Sequence, residues 1–205
     1  MKTFRRILAV AVLVYLPVVA KADAPPGFAD VMDQVMQGDI VLQETVNTST
    51  EFEDVFRAYF NKVTPDAYAA LIVDYPKYPD MFDEIKEAHQ ISVNADRTVF
   101  TYGLKMVVAV GPFHQTITPE GRHTLTINAS GESHVLNEIT NYQNYLNYAT
   151  ESTRLIPYQN GMLVEDTVHA SLKSSNAAAG FVKKQLQNMF KGYLAAFRDH
   201  LQGNY

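Results

Sequence analysis

Glu151, Arg154, Glu165, Asp166 and His169 lie on two strand-like runs joined by the turn Gln159-Asn160-Gly161. With the tip at residues 159 and 160, positions equidistant from it face each other, so Arg154 opposes Glu165, Thr153 opposes Asp166 and Thr150 opposes His169. Arg154 and Glu165 can therefore form a cross-strand ion pair. On a wet outer face such a pair is worth only about 0–1 kcal/mol. Facing inward, it would anchor a ligand or act as an acid–base pair. Charged residues routinely occupy wet faces, which favours the first reading, and Arg154 stands as the polar anchor of the second.

Histidine is the other group with chemistry to offer, at positions 89, 114, 123, 134, 169 and 200. If Pro119-Glu120 tips a hairpin, His114 and His123 become diagonal neighbours about 7–8 Å apart. A metal would need further ligands, and no HExxH, facial triad or Cys/His spacing supplies them. No G-x-S-x-G, P-loop or G-x-G-x-x-G run occurs either. No metal, cofactor or catalytic residue is assigned. In NYQNYLNY (141–148), the asparagines argue for a loop leading into a strand, and parity then places Tyr142 and Tyr148 on one face with Tyr145 opposite. Such hydroxyls either orient a ligand inside or form the wet tips of half-buried rim residues.

The elements that must hold these side chains follow from periodicity and punctuation. Residues 28–37 make a short helix ended by Gly38, and 39–46 read as a strand. In EFEDVFRAYFNKV (51–63), Phe52, Phe56, Ala58 and Phe60 share one face of a strand whose other side is wet. Thr64 is placed as an N-cap with Pro65 at the first helical position, and the helix then meets Pro76 and Pro79. Each proline lacks an amide donor and biases Tyr75 or Tyr78 away from helix, so the helix stops and a second short turn begins around Asp80 to Phe82.

Residues 84–94, 97–110, 122–128, 133–140, 145–158 and 161–172 are strand-like, with turn chemistry between them that implies antiparallel neighbours. Gly103 inside the longest run predicts a bulge or bend. The chain closes on one helix over about 176–202, with Val182, Leu186, Met189, Phe190, Tyr193, Phe197 and Leu201 in a continuous apolar stripe. At 1.5 Å per residue it is about 40 Å long.

Lys2, Arg5 and Arg6 precede an apolar run from Ile7 to Ala20 and small residues at Ala20 and Ala22, the pattern of a secretory signal peptide cut after Ala22. The apolar run would reach only about 21 Å as a helix, short of the roughly 30 Å of a bilayer core. The mature protein is thus expected in the periplasm or outside the cell. It has no cysteine, hence no disulfide and no lipidated N-terminal Cys. Without the signal the formal charge moves from −5 to −9, with 13 basic against 22 acidic residues, which excludes a nucleic-acid backbone as partner. Membrane contact is at most transient, through a patch such as Lys183-Lys184. The chain divides into signal peptide (1–22), an N-terminal extension (23–50) and one domain (51–202). No feature sets the oligomeric state.

The stretch TPDAYAALIVDYPKYPDMF, in particular Pro65, Tyr68, Leu71, Asp74, Tyr75, Tyr78, Pro79 and Phe82, resembles a segment of the START-like, or helix-grip, superfamily, which includes polyketide cyclases. The likeness covers residues 50 to 201, and the signal peptide makes the chain similar to the secreted bacterial branch. It departs from the pattern in having no tryptophan and no proline before the last helix. The resemblance implies an α+β fold: a curved antiparallel sheet of about six to seven strands around a long C-terminal helix, with two short helices after the first strand. It also implies a hollow between sheet and helix that takes a hydrophobic small molecule such as a lipid, sterol-like or polyketide compound. Wall candidates are Phe100, Tyr102, Leu104, Met106 and Val108 from one strand face, Tyr148, and Met189, Phe190, Tyr193 and Phe197 from the helix. Three functions remain open: a non-enzymatic carrier or sensor of that molecule, a cyclase, dehydratase or hydrolase acting on it, or an envelope interaction module with a filled core. The first leads.

Overall fold

The computed structural model describes residues 23–110, 113–128, 131–141, 146–173 and 177–203. The signal segment, Tyr142 and Tyr145 lie outside them. Helix α1 (Met32–Met36) and strands β1 (Val41–Asn47) and β2 (Glu51–Asn61) come first, followed by α2 (Pro65–Ile72). Thr64 caps α2 as its sequence predicts: the Ala67 N–H donates to the Thr64 hydroxyl at 3.3 Å, and Pro65 opens the helix. A 3-10 turn (Tyr75–Lys77) and the short helix α3 (Tyr78–Met81) then turn the corner. Tyr78 is helical at φ −58° and ψ −42°, although it precedes Pro79. Pro79 stands in the first turn, where its missing N–H would have no partner anyway, and the Tyr78 hydroxyl is fixed by donating to the Ile72 carbonyl at 2.5 Å.

Strands β3 (Ile85–Val93), β4 (Val99–Val110), β5 (Phe113–Ile117), β6 (Glu120–Ile127), β7 (Ser133–Ile139), β8 (Leu146–Tyr158) and β9 (Gly161–Leu172) complete one antiparallel sheet, before the closing helix α4 (Ala177–Gln202). Its order is β1-β2-β9-β8-β7-β6-β4-β3, with β5 also on β4. The strands outnumber the six to seven expected, because β5 and the edge strand β1 add to the count. Residues 118–121 are not a hairpin tip. Segments β5 and β6 lie end to end along β4, pairing Ile117 with Met106 and Glu120 with Gly103. The Leu104 N–H donates to the Pro119 carbonyl at 3.0 Å, so the ladder runs through the break. His114 and His123 are consequently separated along one line, about 30 Å at 3.3 Å per residue; His114 is exposed and His123 buried.

The sheet curls, and the apolar stripe of α4 packs on its concave face with α2 and α3. Residues 23–50 are integral to this arrangement. Strand β1 pairs along β2, and Phe28, Met32 and Val35 cover the convex face over Tyr59, Tyr158 and Leu163.

Candidate functional site

Alternation decides which side chains reach the concave face. In β2 the inward set of Phe52, Phe56, Ala58 and Phe60 includes Asp54, and in β9 the set of Met162, Val164, Val168 and Ala170 includes Asp166. The ladder places Thr153 opposite Asp166, Glu151 opposite Val168, Asn137 opposite Glu151, and His123 opposite Asn137. Polar groups therefore cross the floor of an otherwise apolar face in one line. Thr153 donates to Asp166 Oδ1 at 3.0 Å, Asn137 Nδ2 donates to Glu151 Oε2 at 2.9 Å, and the Tyr102 hydroxyl donates to Asn137 Oδ1 at 2.8 Å. The hydroxyl of Tyr75 meets His123 Nδ1 at 2.9 Å, with both rings stacked near Tyr102. Gly121 makes this stack feasible, since a Cβ there would collide with the Tyr102 ring.

Glu151 and Asp166 lie within hydrogen-bond reach of each other in the interior. Burial raises the pKa of both carboxyls, and for Asp166 the neighbouring Glu151 charge raises it further. Among the described residues, neither makes an ion pair with a cation. Among the described residues, Asp166 Oδ2 has no hydrogen-bond donor, and the buried Tyr193 hydroxyl has no partner. Burial pushes the Tyr193 hydroxyl's pKa far up, with Glu84, Glu151 and Tyr102 adding to it. It also lowers His123 to about 3, so that ring is neutral at pH 7.

Of the wall candidates, Phe100, Tyr102 and Met106 are buried in the core cluster on the concave side, with Leu104 and Val108 packed against it. Phe197 sits at the end of α4 with Phe82 at 5.3 Å, Tyr68 at 5.5 Å and Tyr78 at 6.0 Å between ring centres. That end is sealed. Next along α4, Met189, Phe190 and Tyr193, the last 4.4 Å from Phe82, pack against the cluster yet stay only half-buried, as does Glu151 on the sheet.

Tyr148 and Arg154 turn away from this face. The Tyr148 hydroxyl donates to Glu51 at 2.7 Å and meets His169 at 2.8 Å on the convex side, where Glu51 pushes its pKa up to about 12. Arg154 donates to the Pro26 carbonyl at 2.7 Å and lies 3.5 Å from Glu165, opposite it in the ladder. Glu165 is held more closely by Arg57, at 2.7 Å.

Sequence reasoning therefore set out the outer pair and missed the inner one. The signal was present in parity: if Arg154 and Glu165 face out, then Glu151, Thr153 and Asp166 face in. A separate open cleft of about 480 Å³ between Gly38, Asn160 and Arg198 lies away from these groups. Among the described residues no cluster is suited to a metal ion.

No protein-family model matches the chain, and no curated protein does. Solved structures do. A STAR-related lipid transfer protein from Xanthomonas axonopodis matches over 78% of this chain and 98% of its own, with TM-score 0.60 and 14% identity. A START superfamily protein from Mycobacterium smegmatis matches over 76% and 99%, with TM-score 0.54 and 11% identity. An aromatase/cyclase from a Streptomyces species matches over 79% and 94%, with TM-score 0.58 and 9% identity. These matches, with the curled antiparallel sheet, the short helices after β2 and the long α4, show that the chain has the START-like, helix-grip fold.

Proposed function

We propose that the protein binds and carries, or senses, a hydrophobic small molecule between the concave face and α4, in the periplasm or outside the cell. One observation carries this reading. Met189, Phe190, Tyr193 and Glu151 face one another's elements across the interior and yet keep accessible surface, whereas a close-packed core leaves its facing side chains with almost none. Residues that border an internal space have this property, and such spaces are mainly apolar with a few convergent polar groups. Lipid transfer by one structural neighbour and aromatase/cyclase activity in another are consistent with an apolar or polycyclic ligand. The signal-like N-terminus supports an extracytoplasmic location.

Native mass spectrometry of protein purified without detergent tests the proposal, together with displacement of a fluorescent fatty acid. A co-purifying apolar ligand or saturable uptake is expected. Bare protein with no uptake would end the reading.

A second reading has its own observation. The Glu151–Asp166 pair is a buried titratable pair in hydrogen-bond reach, the arrangement a general acid–base catalyst needs. Turnover of a polycyclic or ester substrate that Glu151→Gln abolishes, with ligand binding retained, would favour it.

A further inference from the structure

We infer that the open cleft between the end of α1, the β8–β9 turn and the end of α4 is a second binding site, and that its ligand is a short uncharged saccharide. None of the groups bordering the internal space proposed above takes part.

Four parts of the chain converge on this cleft of about 480 Å³: the end of α1, the end of β2, the β8–β9 turn and the C-terminal end of α4. Its size is that of a small-molecule site, for which about 300–1,000 Å³ is usual. Its lining is not that of a site for an apolar ligand, because five of the ten residues around it are carboxamides. A hydrogen-bonded frame fixes their places. Asn160 accepts from the Tyr59 hydroxyl at 2.7 Å and donates to the Asn61 side chain at 3.0 Å, and its backbone carbonyl receives the Lys62 N–H at 3.0 Å. Gln202 donates to the Asn61 carbonyl at 3.3 Å and Arg198 to the Gly38 carbonyl at 2.6 Å, which ties α4 to β2 and to the turn after α1.

Two of the lining carboxamides are left over from that frame. Gln37 and Gln159 are exposed, and among the described residues no hydrogen bond holds either side chain. Gln159 stands at φ 51°, a left-handed conformation that glycine adopts without strain, so its carboxamide is presented at a conformational cost. A carboxamide offers both N–H donors and a carbonyl acceptor, the set that matches neighbouring hydroxyls of a sugar ring. Beside them, Arg198 carries more N–H donors than Gly38 and Asp199 take up. Charge then narrows the ligand. Arg198 and Asp199, 3.5 Å apart, are the one cation and one anion of the lining, so the cleft is formally neutral and holds no surplus charge for a ligand ion. The protein around it is acidic, which turns anions away. An uncharged ligand rich in hydroxyls fits both facts, and half-buried Met36 with Tyr59 gives the C–H face of a ring its apolar contact.

Amide NMR titration of the protein with maltose, cellobiose and diacetylchitobiose tests this, with glucose 6-phosphate and acetyl-trialaninamide for comparison, each taken to about 10 mM. At least one disaccharide is expected to saturate with a Kd of about 1 mM or below, shifting the side-chain amide signals of Gln37, Gln159 and Gln202. Gln37→Ala and Gln159→Gly, the second suited to that backbone, should each weaken binding about two- to tenfold and leave fluorescent fatty-acid uptake unchanged. No saturable shift with any disaccharide overturns the proposal, as does binding that both variants leave intact. Tighter binding of glucose 6-phosphate overturns the uncharged ligand, and tighter binding of the peptide overturns the saccharide.

Discussion

His123 supplies a direct check on the buried floor. It is 3% exposed, stacked beside Tyr75 and Tyr102, with its pKa lowered by burial from 6.5 to about 3. A base whose folded pKa is depressed stays neutral in the fold while the unfolded chain protonates, so its burial costs stability as pH falls from about 6.5 toward about 3. Each unit of difference is worth about 1.36 kcal/mol. Between pH 7.5 and pH 4.5 the loss is about 3 kcal/mol, and the limit below pH 3 is about 5 kcal/mol. Glu151 and Asp166 act in the opposite sense, since raised carboxyl pKa values make the fold gain on acidification. Absolute stability therefore mixes both signs, and the informative quantity is a difference.

His123→Gln keeps an acceptor for the Tyr75 hydroxyl and cannot titrate. Urea unfolding at pH 7.5 and 4.5 should show the wild type losing about 3 kcal/mol more than the variant on acidification. Parallel losses would refute the reasoning, as would a His123 ring proton that titrates near pH 6.5 by NMR.

Phe82, 4% exposed, packs on Tyr193 at 4.4 Å and on Phe197 and Tyr78 at 5.3 Å. Phe82→Ala should cost about 3–5 kcal/mol in denaturant unfolding, because it empties the sealed end of α4. Gly121→Ala forces the Tyr102 ring to move and breaks its bond to Asn137, for about 1–3 kcal/mol by the same assay. Tyr148→Phe removes a convex-side hydroxyl and should leave fluorescent fatty-acid uptake unchanged in a displacement titration. A drop in uptake would return that residue to the interior.

How much of this was legible depends on the kind of signal. The α4 stripe and the Thr64 cap are local patterns, and their sequence boundaries lie within a residue or so of the observed elements. The β8–β9 register also came through, because a short Gln-Asn-Gly turn fixes which residues oppose. Pro119 misled because the same residues that tip a hairpin also interrupt a strand, and only pairing with β4 over a long sequence separation distinguishes the two. Tyr148 misled for a different reason. Its aromatic ring suits either face of a strand, and its neighbours Glu51 and His169 come from strands whose parity had not been linked to its own.

That linkage also bears on function. Once Phe52 and Met162 are known to face inward, Asp54 and Asp166 must do so as well, and the ladder carries Glu151, Asn137 and Tyr102 with them. A core under selection for stability alone has better options at 151 and 166. Replacing buried ionic groups by apolar residues of similar volume is often neutral or stabilising by about 1–4 kcal/mol. Leucine at position 166 would sit beside Val164 and Val168 without penalty from desolvation. The sheet instead holds two carboxyls close together on its concave face, and among the described residues neither pairs with a cation. Folding energetics alone give no reason for that arrangement, whereas the ligand site proposed above has a use for convergent polar groups.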